Sequence, residues 1–210
     1  DDDLETVLTI LKNNKISPCS LLELGVGTGL MADFMTSHGY MCCGVDSSPE
    51  MLAKARQRND NIRLLLSDML TVDLKEKFSL ILCVFDTINH LASLADWESL
   101  FEVVLRHMTP DGTFLFDFNT ETKLQMLANV GRLYESRGNS FALFRFKDLG
   151  EGKLEWDVSY HQLRNNFYCV TRSIIMERAY HYTIILDALS KKFGKISCYN
   201  DAGQIVGNAD

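Results

Sequence analysis

Residues 21–29 read LLELGVGTG, an apolar run that breaks into glycines at Gly25, Gly27 and Gly29. Three of the chain's 13 glycines therefore stand within five residues. Glycine enters left-handed backbone without a steric penalty and lets a ligand lie close against the chain. A strand, such a turn, and then a helix from Leu30 form a ready nucleotide-binding geometry, because the helix N-terminus offers free N–H groups. The second half of that test is an acid about 20 residues on, at the end of the next strand. GVDSSPEM supplies Asp46 there, placed to take ribose hydroxyls. Asp46 also suits a plain turn before Pro49, but its pairing with the glycines favours the ribose. The GxGxG spacing differs from the GxGxxG of dinucleotide sites, and no Gly-Lys-Ser/Thr follows as a P-loop demands.

Outward from this stretch, apolar spacing predicts a helix over Leu4–Leu11 and strands at Ser20–Leu24 and Met41–Val45. Helices follow at Leu30–Ser37 and Pro49–Arg58, the second capped by Ser47 or Ser48. Ile62–Leu66 and Leu80–Phe85 read as further strands, the latter with the unbroken apolar character of a strand covered on both faces. Trp97–His107 reads as a helix ending before a TPDG turn at Thr109–Gly112, and Thr113–Asn119 as a fifth strand. This alternation predicts an α/β fold with a mostly parallel sheet and helices on both faces. The rhythm then changes. Phe141–Lys147, Leu154–His161 and Asn166–Tyr180 alternate as an antiparallel meander. Thr183–Lys192 returns to helical spacing and Ile196–Tyr199 to a strand. The expected organisation is one domain: a core of residues 1–130 and 181–210, with a β insertion at about 134–180 just before the last helix.

Composition is that of an ordinary globular chain of 210 residues, 46% hydrophobic and 23% charged. No stretch reaches the roughly 18 consecutive apolar residues of a membrane span. The opening DDDLE lacks the pattern of a secretory leader. A formal net charge of −7 argues against a broad electrostatic grip on nucleic acid. None of the six cysteines forms a CxxC pair, so they read as buried free thiols in a reducing, cytoplasmic setting, with neither zinc nor disulfides expected.

ELGVGTG, GVDSSPEMLAKAR, LLLSDML and FSLILCVFDTINHL occur in that order and together resemble a class I S-adenosylmethionine-dependent methyltransferase, over about residues 20 to 120. The resemblance implies a Rossmann-like core, S-adenosylmethionine as cofactor and no metal. It assigns Glu23 to ordering the loop and the methionine end of the cofactor, and Gly25, Gly27 and Gly29 to the loop along which it lies. Asp46 takes the ribose, and Ser47 and Met51 flank the adenine. Ser67, Asp68 and Met69 contact the adenine, while Cys83, Val84 and Phe85 lie beneath the reacting methyl. One departure is Phe78-Ser79, where the family often has Phe-Asp. Family members also close with a strand hairpin, for which only Ile196–Tyr199 and Gln204–Val206 remain.

FDTINH at Phe85–His90 and FDFN at Phe116–Asn119 fall at the carboxyl ends of strands, where such folds bind ligands. FDTINHL resembles the same segment of small-molecule N-methyltransferases. His90 is the first candidate for a base or anchor, with Asp86 as its partner; capping and backbone bonding are the bland alternatives. Asp117 and Asn119 are candidates for touching substrate, or strand-end turn formers. Tyr134, Trp156 and Tyr160, with Phe167 and Tyr168, are read as an aromatic wall of the acceptor site or as packing. Arg145, Arg172 and Arg178 read as solvated. His38 and His107 lie at helix ends, where a dipole interaction accounts for them; His161 and His181 lie in or after the meander. CVFD replaces the DPPY-type tetrapeptide of enzymes that methylate exocyclic amines of bases. The leading expectation is methyl transfer to nitrogen or oxygen of a small molecule. The alternatives are a tRNA-modifying enzyme and a non-catalytic cofactor-binding subunit or sensor. In such enzymes the insertion also mediates homodimer contacts.

Overall fold

The computed structural model describes residues 2–209. The chain gathers into two compact units. One contains the chain as far as Phe85, Ala95–Asp117 and the chain from Leu186 onward; the other contains Asp86–Leu94 and Phe118–Ile185.

The first unit begins with α1 (Asp2–Asn13), β1 (Ser20–Leu24), α2 (Leu30–Ser37), β2 (Met41–Asp46), α3 (Pro49–Arg58), β3 (Arg63–Leu66) and β4 (Phe78–Cys83). Then come α4 (Leu94–His107) and β5 (Met108–Phe116). The five strands pair in parallel in the order β3-β2-β1-β4-β5. Strand order therefore reverses between β1 and β4, the point where open α/β sheets bind ligands. Leu21–Leu24 and Leu80–Cys83 are all buried, as the two central strands' apolar runs require.

Register sorts the helices. Leu21 and Glu23 lie beside Leu80 and Leu82 and share their sheet face, where Leu21, Leu80 and Leu82 pack with α1 and α2. Ile81 and Cys83 are level with Phe114 and Phe116 on the other face, where Phe101 of α4 meets both rings at about 6 Å. Full burial of Trp97 and Phe101 stabilises this layer by roughly 1.5–3 kcal/mol per side chain. Ser48 is the α3 cap, its Oγ accepting the Met51 N–H at 3.2 Å.

Two expectations in this unit change. Thr109–Gly112 is not a free turn before the fifth strand: β5 begins at Met108, and the register jumps from Phe78↔Met108 to Leu80↔Thr113. The turn-forming residues are accommodated as an irregularity within the pairing. After α6 (Tyr182–Ser190), β10 (Ile196–Tyr199) pairs antiparallel with β11 (Ile205–Ala209) in a two-stranded sheet of its own.

The second unit holds α5 (Glu121–Val130) and a four-stranded antiparallel sheet in the order β6-β7-β8-β9. Its strands are β6 (Arg132–Arg137), β7 (Ser140–Gly150), β8 (Lys153–Arg164) and β9 (Phe167–Arg178). Asn165 and Asn166 turn β8 into β9 with φ of 47° and 65°, the two left-handed positions of a type I′ hairpin. Gly152 allows a close approach, since a Cβ there would stand 2.4 Å from the Ala179 carbonyl. α5 starts on Thr120, whose Oγ1 accepts the Lys123 N–H, and stops at Gly131. Its Leu124 packs with Phe146, Leu154 and Ala179.

Candidate active site

The glycine loop is held from beneath. Gly25, Gly27 and Gly29 all have positive φ, at 75°, 53° and 74°. The N–H groups of Gly25 and Val26 both donate to the Val45 carbonyl, folding the loop over the end of β2. A Cβ on Gly29 would come within 3.0 Å of Ala55 Cβ, so this residue sets the approach of α2 to α3. A Cβ on Gly27 would meet nothing within 4 Å. Its glycine is required by backbone conformation, and the loop face there is open. Asp46 lies under it: Oδ2 accepts the Gly27 N–H at 2.7 Å and Oδ1 the Ser48 N–H at 2.8 Å. Both oxygens are thus engaged by backbone, each with a lone pair to spare.

Glu23 is 2% exposed, and its Oε2 has no hydrogen-bond partner. Burial pushes its carboxyl up to about 8; a bond from the Ala32 backbone works against this, and the Asp46 charge adds to it. A buried carboxyl oxygen without a donor is a costly arrangement that an incoming donor would relieve.

At the end of β3, the Ser67 N–H donates to the Asp46 carbonyl at 3.0 Å. Asp68 caps its own turn, Oδ1 accepting the Leu70 N–H at 2.8 Å. Ser47 and Met51 are exposed, and Met69 is partly buried. Cys83 and Val84 are buried. The Cys83 thiol is raised far above its ordinary range by burial, then by the Asp117 and Glu23 charges, so it stays protonated. Asp117 is exposed, and its Oδ2 accepts the Phe85 N–H at 2.9 Å. Phe85 and Asp86 are consecutive non-glycine residues with φ of 60° and 50°. Each left-handed residue costs on the order of 1–2 kcal/mol, and such strain gathers at functional sites.

In the second unit, Asp86 opens a short 3₁₀ turn, Thr87–His90. The expected Asp86–His90 pair gives way to a different arrangement. Asp86 Oδ2 accepts from Asn119 Nδ2 at 2.9 Å, and the same nitrogen donates to Glu177 Oε2 at 2.9 Å. His90 is exposed, its Nδ1 turned to the Met176 carbonyl at 3.3 Å. Asn89, fully buried, closes the cluster: Nδ2 donates to the carbonyls of Asn119 and Arg178, and Oδ1 accepts the Asn119 N–H. Asn119 and Glu177 are each 3% exposed. Burial, opposed by the Asn119 bond and aided by the Asp86 charge, pushes the Glu177 carboxyl up to about 7. Neither Asn89 nor Glu177 stood out in the sequence: Asn89 lies within FDTINH without a motif role, and Glu177 sits in an alternating strand.

The aromatic wall is divided. Phe146 is level with Trp156, and Ala142 with Tyr160, so Trp156 and Tyr160 share the sheet face packed by α5. Leu133 is level with Phe144 on that face, which sends Tyr134 to the opposite one. There Tyr134, Phe141, His161 and Tyr168 form a ring cluster, Phe141 stacking on His161 at 4.3 Å. Strand alternation therefore rules out a single lining from these residues. Arg145 and Arg172 both pair with Asp157. His107 is buried and bridges elements, with Nδ1 bonded to the Val103 carbonyl and Nε2 accepting the Leu74 N–H.

The sheet order, the glycine loop and the acid at the end of β2 match a known family. Residues 21–112 fit the family model described as "Methyltransferase domain". The chain is similar to dTDP-3-amino-3,6-dideoxy-alpha-D-glucopyranose N,N-dimethyltransferase from Streptomyces fradiae, 31% identical over 108 residues, which are 51% of this chain and 42% of that protein. A shorter stretch of 52 residues, 25% of this chain, is 40% identical to 18S rRNA (guanine-N(7))-methyltransferase from Bos taurus and covers 18% of it. The chain thus spans less than half the length of these relatives. In fold, it is similar to an S-adenosylmethionine-dependent methyltransferase from Clostridium acetobutylicum, with a TM-score of 0.83 and 23% identity over 95% of this chain and 84% of that one.

Proposed function

We propose that this chain is an S-adenosylmethionine-dependent methyltransferase acting on a small molecule, with an amino sugar nitrogen as the acceptor. The observation that carries the cofactor is the open Gly27 loop beside a buried Glu23 oxygen that lacks a donor. An amino acid ammonium fits that vacancy of hydrogen bonding, and a nicotinamide dinucleotide carries no such group. Gly25, Gly27 and Gly29 hold the cofactor's length, Asp46 takes its ribose with the remaining lone pairs, and Ser47, Met51, Ser67, Asp68 and Met69 surround the adenine. Cys83, Val84 and Phe85 form the floor under the reacting end. When bound, the cofactor supplies a methyl already activated on a sulfonium, so the protein's task is alignment, water exclusion and removal of a proton. The amino sugar follows from the Streptomyces fradiae relative.

Calorimetric titration with S-adenosylhomocysteine, with NAD and NADP in parallel, tests the cofactor. Micromolar binding of S-adenosylhomocysteine alone is expected; binding of NAD instead would end this reading. Methylation of dTDP-3-amino-3,6-dideoxy-D-glucose tests the acceptor class. The ribosomal RNA relative favours a second reading, an RNA acceptor. Strong, salt-sensitive tRNA binding would support it, against the net charge of −7. All six cysteines are free, though only Cys43 and Cys83 are buried, which supports a reducing, cytoplasmic setting. Among the described residues, no helix is long and apolar enough to cross a membrane. Homodimer formation through the four-stranded sheet belongs to the same proposal. It is supported by the edge strand β9, where Phe167, Val170 and Ile174 are exposed, and light scattering tests it.

A further inference from the structure

The four-stranded sheet of the second unit has two unlike faces. Phe146 and Leu154 turn to α5, where they pack with Leu124. Strand alternation sends every second residue to the opposite face, with same-face neighbours about 7 Å apart along a strand. There Tyr134 and Tyr168 are 58% and 51% exposed. Phe141 lies between them, 5.6 Å from Tyr134 and 5.3 Å from Tyr168. Next to these rings stand Arg132 and Arg145, level with each other, then Lys147 on β7 and Arg172 on β9. All four cations are exposed. Arg172 donates to both oxygens of Asp157, at 2.6 and 2.9 Å, and Arg145 Nη2 reaches Oδ2 at 2.8 Å. One carboxylate thus holds two guanidiniums side by side, and each keeps further N–H donors facing solvent. Glu155, opposite Lys147, is the other acid of this region. Positive charge is therefore in surplus beside the rings, on a chain whose net charge is −7.

We propose that this face of the second unit docks single-stranded RNA. Bases stack on Tyr134, Phe141 and Tyr168, and phosphates meet Arg132, Arg145, Lys147 and Arg172. The charge complementarity is local: a polyanion repelled by the chain as a whole finds here the cations that it needs. The rings decide among anionic partners. Exposed aromatic side chains beside arginines form the stacking platform and backbone track of single-strand recognition. A duplex has its bases already stacked and leaves such rings unused, and an acidic peptide uses the cations alone. Hydroxyls border the rings, from Tyr134, Tyr168, Ser136 and Ser159, and a ribose 2′-OH pairs with such groups as donor and as acceptor. Docking on β6–β9 requires no cofactor and stands apart from the methyltransferase reading; it does not make RNA the methyl acceptor.

Fluorescence anisotropy of the full chain with a labelled oligouridine RNA of about 12 nucleotides tests the docking face. Affinity should fall about tenfold between about 50 and 200 mM salt, the loss expected for two or three neutralised phosphates. Tyr134→Ala and Tyr168→Ala should each weaken binding about tenfold, since both rings are more than half exposed and their loss spares the fold. Arg172→Gln should weaken binding and flatten its salt dependence, while Arg145 keeps Asp157 paired. Arg137→Gln removes the same charge from the α5 face of the sheet and should change neither. No binding at low salt would overturn the proposal. So would binding that Tyr134→Ala and Tyr168→Ala leave intact, or that Arg137→Gln weakens as much as Arg172→Gln. Tighter binding of polyglutamate or of anionic phospholipid vesicles would give the face to another partner, and equal affinity for oligothymidine DNA would remove the preference for RNA. Failure to bind S-adenosylhomocysteine would sink the methyltransferase reading and leave this one untouched.

Discussion

Glu23 and Glu177 make an instructive pair, one in each compact unit. Both are almost wholly buried, and burial raises both carboxyls, to about 8 and about 7. Their surroundings differ. Glu177 accepts from Asn119, whose same nitrogen also donates to Asp86, and these hydrogen bonds stay within one unit. Glu23 has one oxygen without a partner, on a strand next to the open glycine loop. A satisfied buried acid stores a proton, whereas an unsatisfied one awaits a donor. Two residues with the same chemistry are thereby suited to opposite tasks.

Substitutions can break or sharpen that contrast. Asp46→Ala has the largest expected effect. It removes two charge-assisted bonds that hold the loop as well as the ribose contact, and should weaken S-adenosylhomocysteine by about 3 kcal/mol or more. Calorimetry on a folded variant reads this directly; unchanged affinity would mean that the cofactor lies elsewhere. Glu23→Gln should weaken the same ligand by about 2 kcal/mol without lowering Tm, because the replaced oxygen makes no bond in the free protein. In wild type, calorimetry in buffers of different ionisation enthalpy should detect proton release as Glu23 ionises on binding. A fall in Tm comparable to a core mutation would make Glu23 a structural residue like Glu177.

The pH dependence of stability comes next. Both glutamates bind protons more tightly folded than unfolded, where the reference is 4.5. Their stabilising contribution is therefore complete below about pH 4.5 and declines as pH rises through about 7 for Glu177 and about 8 for Glu23. Each group contributes a slope of at most about 1.4 kcal/mol per pH unit. Urea denaturation between pH 5 and pH 8 should show stability falling with pH, less steeply in Glu177→Gln; a rising curve would contradict both assignments. The smallest effect is that of Gly27→Ala, about 1 kcal/mol of stability, since the new methyl meets open space and only the positive φ is penalised. A much larger loss of cofactor affinity than of stability would show that the ligand occupies that open space.

How well each region could be read follows from sequence distance. The glycine loop, Asp46 and the Ser48 cap span fewer than 30 consecutive residues, and their elements appear where periodicity and capping place them. β1, α2, α3 and β10 match their sequence boundaries, because turn and cap residues mark both ends. α5 leaves little trace in the sequence although Thr120 and Gly131 bracket it, since its apolar spacing is weak. The TPDG stretch was a turn by composition and became an irregularity within a strand, because pairing to β4 outweighed local preference. The aromatic wall failed for a simpler reason. Tyr134 and Trp156 belong to different strands, and only register tells which face each takes.

What the sequence by itself determined is the α/β order, the nucleotide-type loop and the acid that serves it. Each depends on neighbours a few residues apart, whose backbone preferences act before any packing. Tertiary structure alone decided which carboxyls are buried, which keep an orphan oxygen, and which meet. Asp86, Asn119 and Glu177 come from the 3₁₀ turn after β4, the loop after β5 and the far end of β9. Their bonds exist only once those segments have folded together, and a hydrogen bond between distant residues leaves no periodic trace along the chain.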